Sequence, residues 1–117
     1  MVLADTSVWI EHLRRSQTEF VERLSEGLVL IHPFVAGELA CGSLRNRDTF
    51  LSELNSLPQA EIATETEVLG LIRDRKLWGR GLGWIDVHLL ASAMLTHCRL
   101  WTLDKRLGEV AADLGLT

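Results

Sequence analysis

Short, wholly apolar runs that end beside polar or acidic residues are the feature that most constrains the fold of this chain. Val2-Leu3-Ala4 ends at Asp5, and residues 28–31 and 100–103 form two further runs of similar character. Such runs are typical of strands that are buried on both faces of a parallel sheet. Because segments with helical character separate them, the sequence predicts an α/β fold with a central parallel sheet flanked by helices.

The segments between these runs carry start and stop signals of helices. Thr6 and Ser7 suit a helix N-terminus, Gly27 suits a helix end, and Pro33 suits a first turn. The glycine-rich residues 79–83 form a loop by composition. The predicted helices cover residues 6–15, 17–25, 33–44, 47–56, 64–78, 85–97 and 104–114.

Length and composition suit one domain over residues 1–117, without repeats or linkers. No stretch approaches the ~20 apolar residues of a membrane span. The start of the chain is too short and too acidic for a signal peptide, so a cytoplasmic protein is expected. Cys41 and Cys98 lie in apolar contexts without metal-type spacing, and both are expected to be buried free thiols.

Four carboxylates stand out by their positions. Asp5 and Asp104 each follow a predicted strand, so both are expected at one edge of the sheet. Asp86 opens a long predicted helix, and Glu38 shares a helix face with Phe34. Taken singly, the three aspartates equally suit helix N-caps or first turns, and the glutamate equally suits a solvated helix edge.

Convergence of these acids at one edge favours a metal site. Without a cation the carboxylates would repel each other and raise at least one pKa, and oxygen-only ligands favour Mg²⁺ or Mn²⁺ over Zn²⁺. The hydroxyls of Thr6, Ser7 and Thr102 suit orientation of water or of a carboxylate; for Thr6 and Ser7, helix capping fits equally. The histidines are scattered along the chain, and each is expected to be structural or exposed: His12, His32, His88 and His97.

The net charge of −4 argues against a generic nucleic-acid coat, which would be basic. Setting aside four metal-binding carboxylates would leave no net charge, and short basic clusters such as Arg14-Arg15 and Lys105-Arg106 remain. Each cluster alone suits a solvated helix face.

Metal ions held by the acids would activate water for attack on a phosphodiester.

Four segments in order make the chain resemble the PIN-domain ribonucleases, and within them the VapC-type toxins of bacterial toxin–antitoxin pairs. These segments are MVLADTSVWIEHL, IHPFVAGELACGSL, GWIDVHLLASAML and RLWTLDKRL. The resemblance implies a three-layer fold, RNA cleavage with Mg²⁺ or Mn²⁺, a homodimer and a small antitoxin as partner. It also implies that Asp5 and Asp86 are the principal metal ligands, and that Glu38 and Asp104 bind the same ion or a second one.

The chain departs from this pattern in two places. Relatives often carry a further acid near Asp104; Glu109 is a weak candidate that better suits a solvated helix position. Relatives often add a last strand, of which residues 114–117 are expected to form only the beginning.

Aromatic and apolar residues near the acids suggest contacts with partners. Trp9 and Trp84 lie close to the proposed site, where packing is favoured over stacking on an RNA base, and Trp101 is expected in the core. An antitoxin is expected to bring basic residues to the acids and an amphipathic helix to a groove between residues 8–13 and 50–57.

Two other functions fit the same residues. A DNA-directed metal nuclease would differ only in its substrate. A catalytically weak PIN-like binding module would act with an antitoxin in transcriptional regulation, although four intact acids argue against a decayed site. An aspartyl phosphatase is disfavoured, because Ser7 stands where a second aspartate is usual.

Overall fold

Three parallel strands form the centre of the fold. The structure is a computed structural model that describes residues 1–117. The strands are β1 (Val2–Ala4), β2 (Val29–Leu30) and β3 (Arg99–Trp101), in the order β2-β1-β3. β1 pairs in parallel with both neighbours, and Leu3 stands opposite Leu30 on one side and Leu100 on the other. The predicted α/β class with a central parallel sheet is confirmed.

Seven helices surround this sheet. All residues of β1 are buried, and because successive side chains of a strand point to opposite faces, both faces of the sheet are covered. None of the helices is long and apolar enough to cross a membrane. The helices are α1 (Thr6–Arg14), α2 (Thr18–Ser25), α3 (Pro33–Ala40), α4 (Arg47–Asn55), α5 (Glu65–Arg75), α6 (Trp84–Thr96) and α7 (Lys105–Asp113).

The end of α3 differs from the prediction and changes the setting of a cysteine. The helix ends at Ala40 instead of near residue 44, and it is followed by Gly42 and Ser43, which favour helices poorly. The early end leaves Cys41 exposed at the C-cap. The prediction of a buried thiol is therefore wrong for Cys41 and confirmed for Cys98, and both thiols are free.

The outer strands are shorter than the predicted ones. β2 ends before Ile31, which makes only an isolated bridge, and β3 ends before Thr102. Residues 114–117 form no strand, so the expectation that they begin one is wrong. A single backbone bond joins them to the sheet, donated by Leu100 N to Leu116 O at 2.8 Å.

The tryptophans divide into buried and exposed residues. Trp9 is buried and packs edge to face on Phe20, with ring centroids 4.8 Å apart, as the preference for packing predicts. Trp101 is half-buried and contacts the same phenylalanine. Trp78 and Trp84 are exposed, so Trp84, for which packing is favoured from the sequence, is not a core residue.

Candidate active site

The carboxyl ends of the three parallel strands meet at one edge of the sheet, which we call the rim. Asp5 follows β1 directly, Thr102 and Asp104 follow β3, and His32 comes shortly after β2. The structure thus brings Asp5 and Asp104 to one edge, as their positions after strands predict. Binding groups of open parallel sheets collect at such edges.

Asp5 is a buried carboxylate without a cationic partner. The residue is 6% exposed. Its Oδ1 accepts hydrogen bonds from Ser7 Oγ at 2.5 Å and from Val8 N at 3.2 Å, and its Oδ2 accepts one from Thr102 Oγ1. A buried carboxylate is costly unless donors or a cation compensate for its lost hydration. The ion pairs of the chain lie elsewhere, at Arg23–Glu19, Arg73–Asp74 and Arg80–Asp113.

The hydroxyls of Ser7 and Thr102 have fixed directions. Ser7 Oγ accepts a hydrogen bond from Leu103 N at 2.9 Å, and Thr102 Oγ1 accepts one from Asp104 N at 3.0 Å. Each hydroxyl has one proton to donate, and both protons go to Asp5. The two side chains therefore connect the ends of β1 and β3 and orient the Asp5 carboxylate.

Two acids of the rim also cap helices. Asp5 is the N-cap of α1, and Asp104 is the N-cap of α7, where its Oδ1 accepts a hydrogen bond from Leu107 N at 3.0 Å. The capping alternative is thus confirmed for these aspartates, and capping of α1 by Thr6 or Ser7 is wrong. A carboxylate has about four acceptor positions, so capping leaves lone pairs for a cation.

Glu38 is exposed and is joined to the first helix. Its Oε1 accepts a hydrogen bond from Thr6 Oγ1 at 2.7 Å. Thr6 directly follows Asp5, so this bond connects α3 to the segment that leaves the rim. The side chain of Glu38 therefore lies at the solvated edge of its helix, one of the two settings that the sequence allows.

Asp86 lies apart from this hydrogen-bond network. It is the third residue of α6, and its Oδ2 accepts a hydrogen bond from Gly83 N at 2.9 Å. The loop before it packs against α7: Gly81 adopts a φ of 79°, and an added Cβ there would approach the Arg106 side chain to 2.6 Å. The exposed Arg106 side chain could move aside, so it is the positive φ that favours glycine at this point of the loop.

The four acids do not form a compact cluster in this structure. Hydrogen bonds of the Thr102 hydroxyl link Asp5 to the backbone of Asp104. The hydroxyl of Thr6, the residue after Asp5, donates to Glu38. No group of three or more His, Cys, Asp or Glu side chains has a geometry that would hold a metal ion. The metal-ligand set predicted from the sequence therefore stays a prediction.

Two histidines that lie far apart in the sequence are neighbours. His32 and His88 are both buried, and their ring centroids lie 6.4 Å apart. His88 also contacts Phe34 and Trp84, with centroid distances of 4.8 Å to each. We call these four residues the aromatic cluster. Sequence reasoning missed it because it forms between the end of β2 and α6, and no local pattern marks that contact.

The two histidines of the aromatic cluster are uncharged near neutral pH. Burial lowers the pKa of His32 to about 4, and His88 adds to the effect. Burial also lowers the pKa of His88, while Glu65 opposes that change. His32 Nδ1 accepts a hydrogen bond from Phe34 N at 3.0 Å and so caps α3. His32 Nε2 and His88 Nδ1 are buried and have no hydrogen-bond partner.

An apolar groove of about 470 Å³ lies beside Glu38. α1 contributes Ile10 and Leu13 to its wall, and α4 contributes Phe50. Both α1 residues are large exposed hydrophobic side chains. The groove therefore lies between the two helices that the sequence suggests as its walls, with one of the proposed acids at its border.

The sequence matches the PIN domain family over residues 2–113. This match covers nearly all of the chain, and it agrees with the parallel sheet and with the acids at the rim. The chain therefore belongs to the PIN-domain family. It is similar to Ribonuclease VapC32 from two strains of Mycobacterium tuberculosis, with 49% identity over 117 residues to each, covering 99% of this chain and 94% of the relative.

Proposed function

We propose that this chain is a metal-dependent endoribonuclease and the toxin of a toxin–antitoxin pair, acting in the cytoplasm as a homodimer. The observation that carries the proposal is the buried Asp5 carboxylate, which three donors orient and no cationic side chain neutralises. The 49% identity to a protein named as a ribonuclease supports RNA as the substrate.

The four proposed carboxylates suit a hard divalent cation. Oxygen ligands favour Mg²⁺ or Mn²⁺, and the carboxylates proposed to hold the ion are Asp5, Asp86, Glu38 and Asp104. A bound ion of this kind lowers the pKa of water and stabilises the charge that develops on a phosphodiester. Of the four acids, none is engaged in an ion pair, so no basic side chain competes with a cation for them.

The hydroxyls beside the acids hold the carboxylates in place. Ser7 and Thr102 donate to the two oxygens of Asp5, and Thr6 donates to Glu38. Removal of a group that orients a metal ligand in this way commonly lowers metal affinity or activity about 10–100-fold. We assign these three residues to positioning of the acids, without contact to the substrate.

Replacement of Thr102 by valine tests that role. Valine keeps the shape of the side chain but cannot donate to Asp5 or accept from Asp104 N. We expect RNA cleavage to fall about 10–100-fold, with a higher Mn²⁺ concentration needed for half-maximal rate and an unchanged KM for RNA. Thr102→Ser keeps the hydroxyl and is expected to retain most of the activity. A valine variant with the rate and metal dependence of the parent chain would refute the assignment.

The antitoxin is proposed to occupy the apolar groove beside Glu38. Exposed Ile10 and Leu13 suit the apolar face of an amphipathic helix, and the acids of the rim suit a basic segment that follows it. Such a partner would cover the metal site while it is bound.

The function is tested by incubation of the purified chain with total cellular RNA in Mg²⁺, in Mn²⁺ and in EDTA. We expect discrete cleavage that requires metal and is lost in Asp86→Asn. Asp48→Asn is the matched control, because Asp48 is also a first-turn aspartate but lies exposed on α4, which carries none of the four proposed ligands. Cleavage of single-stranded DNA instead of RNA would favour the DNA nuclease. A folded chain that neither binds Mn²⁺ nor cleaves would favour the binding module.

A further inference from the structure

The aromatic cluster consists of two buried imidazole rings and two exposed aromatic rings. His32 and His88 are 0% and 6% exposed, whereas Phe34 and Trp84 are 37% and 43% exposed. His88 packs nearly perpendicular to both exposed rings, at interplanar angles of 70° and 82°. The two exposed rings are therefore held by a rigid imidazole while part of their surface stays open to solvent.

These exposed rings lie on the same two helices as two of the proposed catalytic acids. Phe34 precedes Glu38 by four residues on α3, so the two share a helix face. Trp84 opens the first turn of α6, which also contains Asp86. The cluster bridges these helices, so the exposed rings lie between the elements that carry the acids.

The chemistry of the exposed rings suits a nucleobase. The cluster has no ammonium or guanidinium group, so it offers no cation to a phosphate, and the exposed surface is mainly the faces and edges of two aromatic rings. Unpaired bases of RNA are commonly bound by stacking on aromatic side chains. Without a metal ion, Glu38 and Asp86 on the same helices would repel the phosphates of an RNA. Contact with an uncharged base avoids this repulsion.

The exposed rings are too small to be a protein interface by themselves. Two aromatic side chains bury at most about 500 Å², whereas a stable interface buries about 800 Å² on each partner. A single stacked base needs no more surface than the two rings provide.

We propose that Trp84 and Phe34 form a binding subsite for one unpaired base of the RNA substrate, placed between the two helices that carry Glu38 and Asp86. The inference rests on the proposed ribonuclease function and adds to it a specific contact between this chain and a base of its substrate. His88 acts as a positioning residue, because it holds both rings and is itself buried.

The subsite is tested by binding of a labelled single-stranded RNA of mixed sequence, in EDTA so that no cleavage occurs. We expect Trp84→Ala to weaken binding about tenfold, equal to about 1.4 kcal/mol, and Trp84→Phe to restore most of it. Phe34→Leu is expected to weaken binding in the same direction. Trp78→Ala removes another exposed tryptophan, 64% exposed and outside the cluster, and is expected to bind like the parent chain.

A matched probe without bases completes the experiment. On an abasic RNA of the same length, which has no base to stack on either ring, the parent chain and Trp84→Ala are expected to bind equally weakly. Metal-dependent cleavage of total RNA by the parent, together with unchanged RNA binding by Trp84→Ala and Phe34→Leu, would overturn the subsite alone. A parent chain that neither binds nor cleaves RNA would overturn the proposed function as well. A loss of self-association in Trp84→Ala without a loss of RNA binding would assign the rings to a contact between two copies.

Discussion

Asp5→Asn is expected to lower RNA cleavage by roughly a thousandfold and to leave the fold intact. The reason is that asparagine has the shape of aspartate but no negative charge, and stabilisation of reaction charge by a metal ion amounts to several kcal/mol. We expect Mn²⁺ to raise the melting temperature of the parent chain but not that of the variant, because a ligand that binds only the folded state stabilises it.

The same substitution is expected to change the free energy of unfolding by no more than about 1 kcal/mol. Asparagine caps helices about as well as aspartate, so the bond from Val8 N to the side chain of residue 5 is retained. Because Ser7 and Val8 N share Oδ1, the new amide NH2 takes the place of Oδ2, and the Thr102 hydroxyl would have to turn so that it accepts instead of donates. Removal of a buried charge offsets part of that cost.

Urea unfolding and a cleavage time course separate these effects. Asp48→Asn serves again as the control, and it is expected to cleave RNA and to respond to Mn²⁺ like the parent chain. Cleavage by Asp5→Asn within tenfold of the parent rate would exclude Asp5 as a metal ligand. Unfolding of the variant in the absence of denaturant would instead show that the Asp5 charge is needed for the fold.

The sequence predicts those parts of the fold that depend on local patterns. Apolar runs locate the strands, and their lack of alternation correctly indicates a sheet buried on both faces. The positions of Asp5 and Asp104 after strands then suffice to put both at one rim, because parallel strands end at the same edge. A helix end such as that of α3 is less certain, since weak helix formers compete with tertiary contacts there.

The contacts that define the site are long-range and leave no local trace. Thr102 donates to Asp5 across 97 positions, and the sequence shows only that both residues follow strands. His32 and His88 are neighbours because the start of α3 contacts α6, which no spacing rule predicts. For Asp86, the sequence explains the local bond to Gly83 N, because acids in the first turn of a helix accept from such groups. It does not show that Asp86 lies apart from the other acids.

Acidification is expected to destabilise the fold between about pH 6.5 and pH 4 through His32. Burial holds the pKa of this imidazole at about 4 in the folded chain, against 6.5 for the exposed group. The unfolded chain therefore takes up the proton first as pH falls, so stability is fully present above pH 6.5 and declines toward pH 4. One pKa unit corresponds to 1.36 kcal/mol, so the loss is about 3 kcal/mol. The lowered pKa of His88 acts in the same direction.

His32→Asn removes this titration while it keeps an acceptor for Phe34 N at the start of α3, because asparagine is a good N-cap. Loss of the ring lowers stability at every pH, so the informative quantity is the slope of unfolding free energy against pH, measured by urea unfolding from pH 7.5 to 4.5. We expect a shallower slope for His32→Asn than for the parent chain, and a parental slope for His97→Asn, which changes an exposed histidine at the end of α6. Equal slopes for the parent and His32→Asn would mean that His32 is solvated in solution. The aromatic cluster would then be open to water, and the rigid support that His88 and His32 give to the exposed rings would be absent.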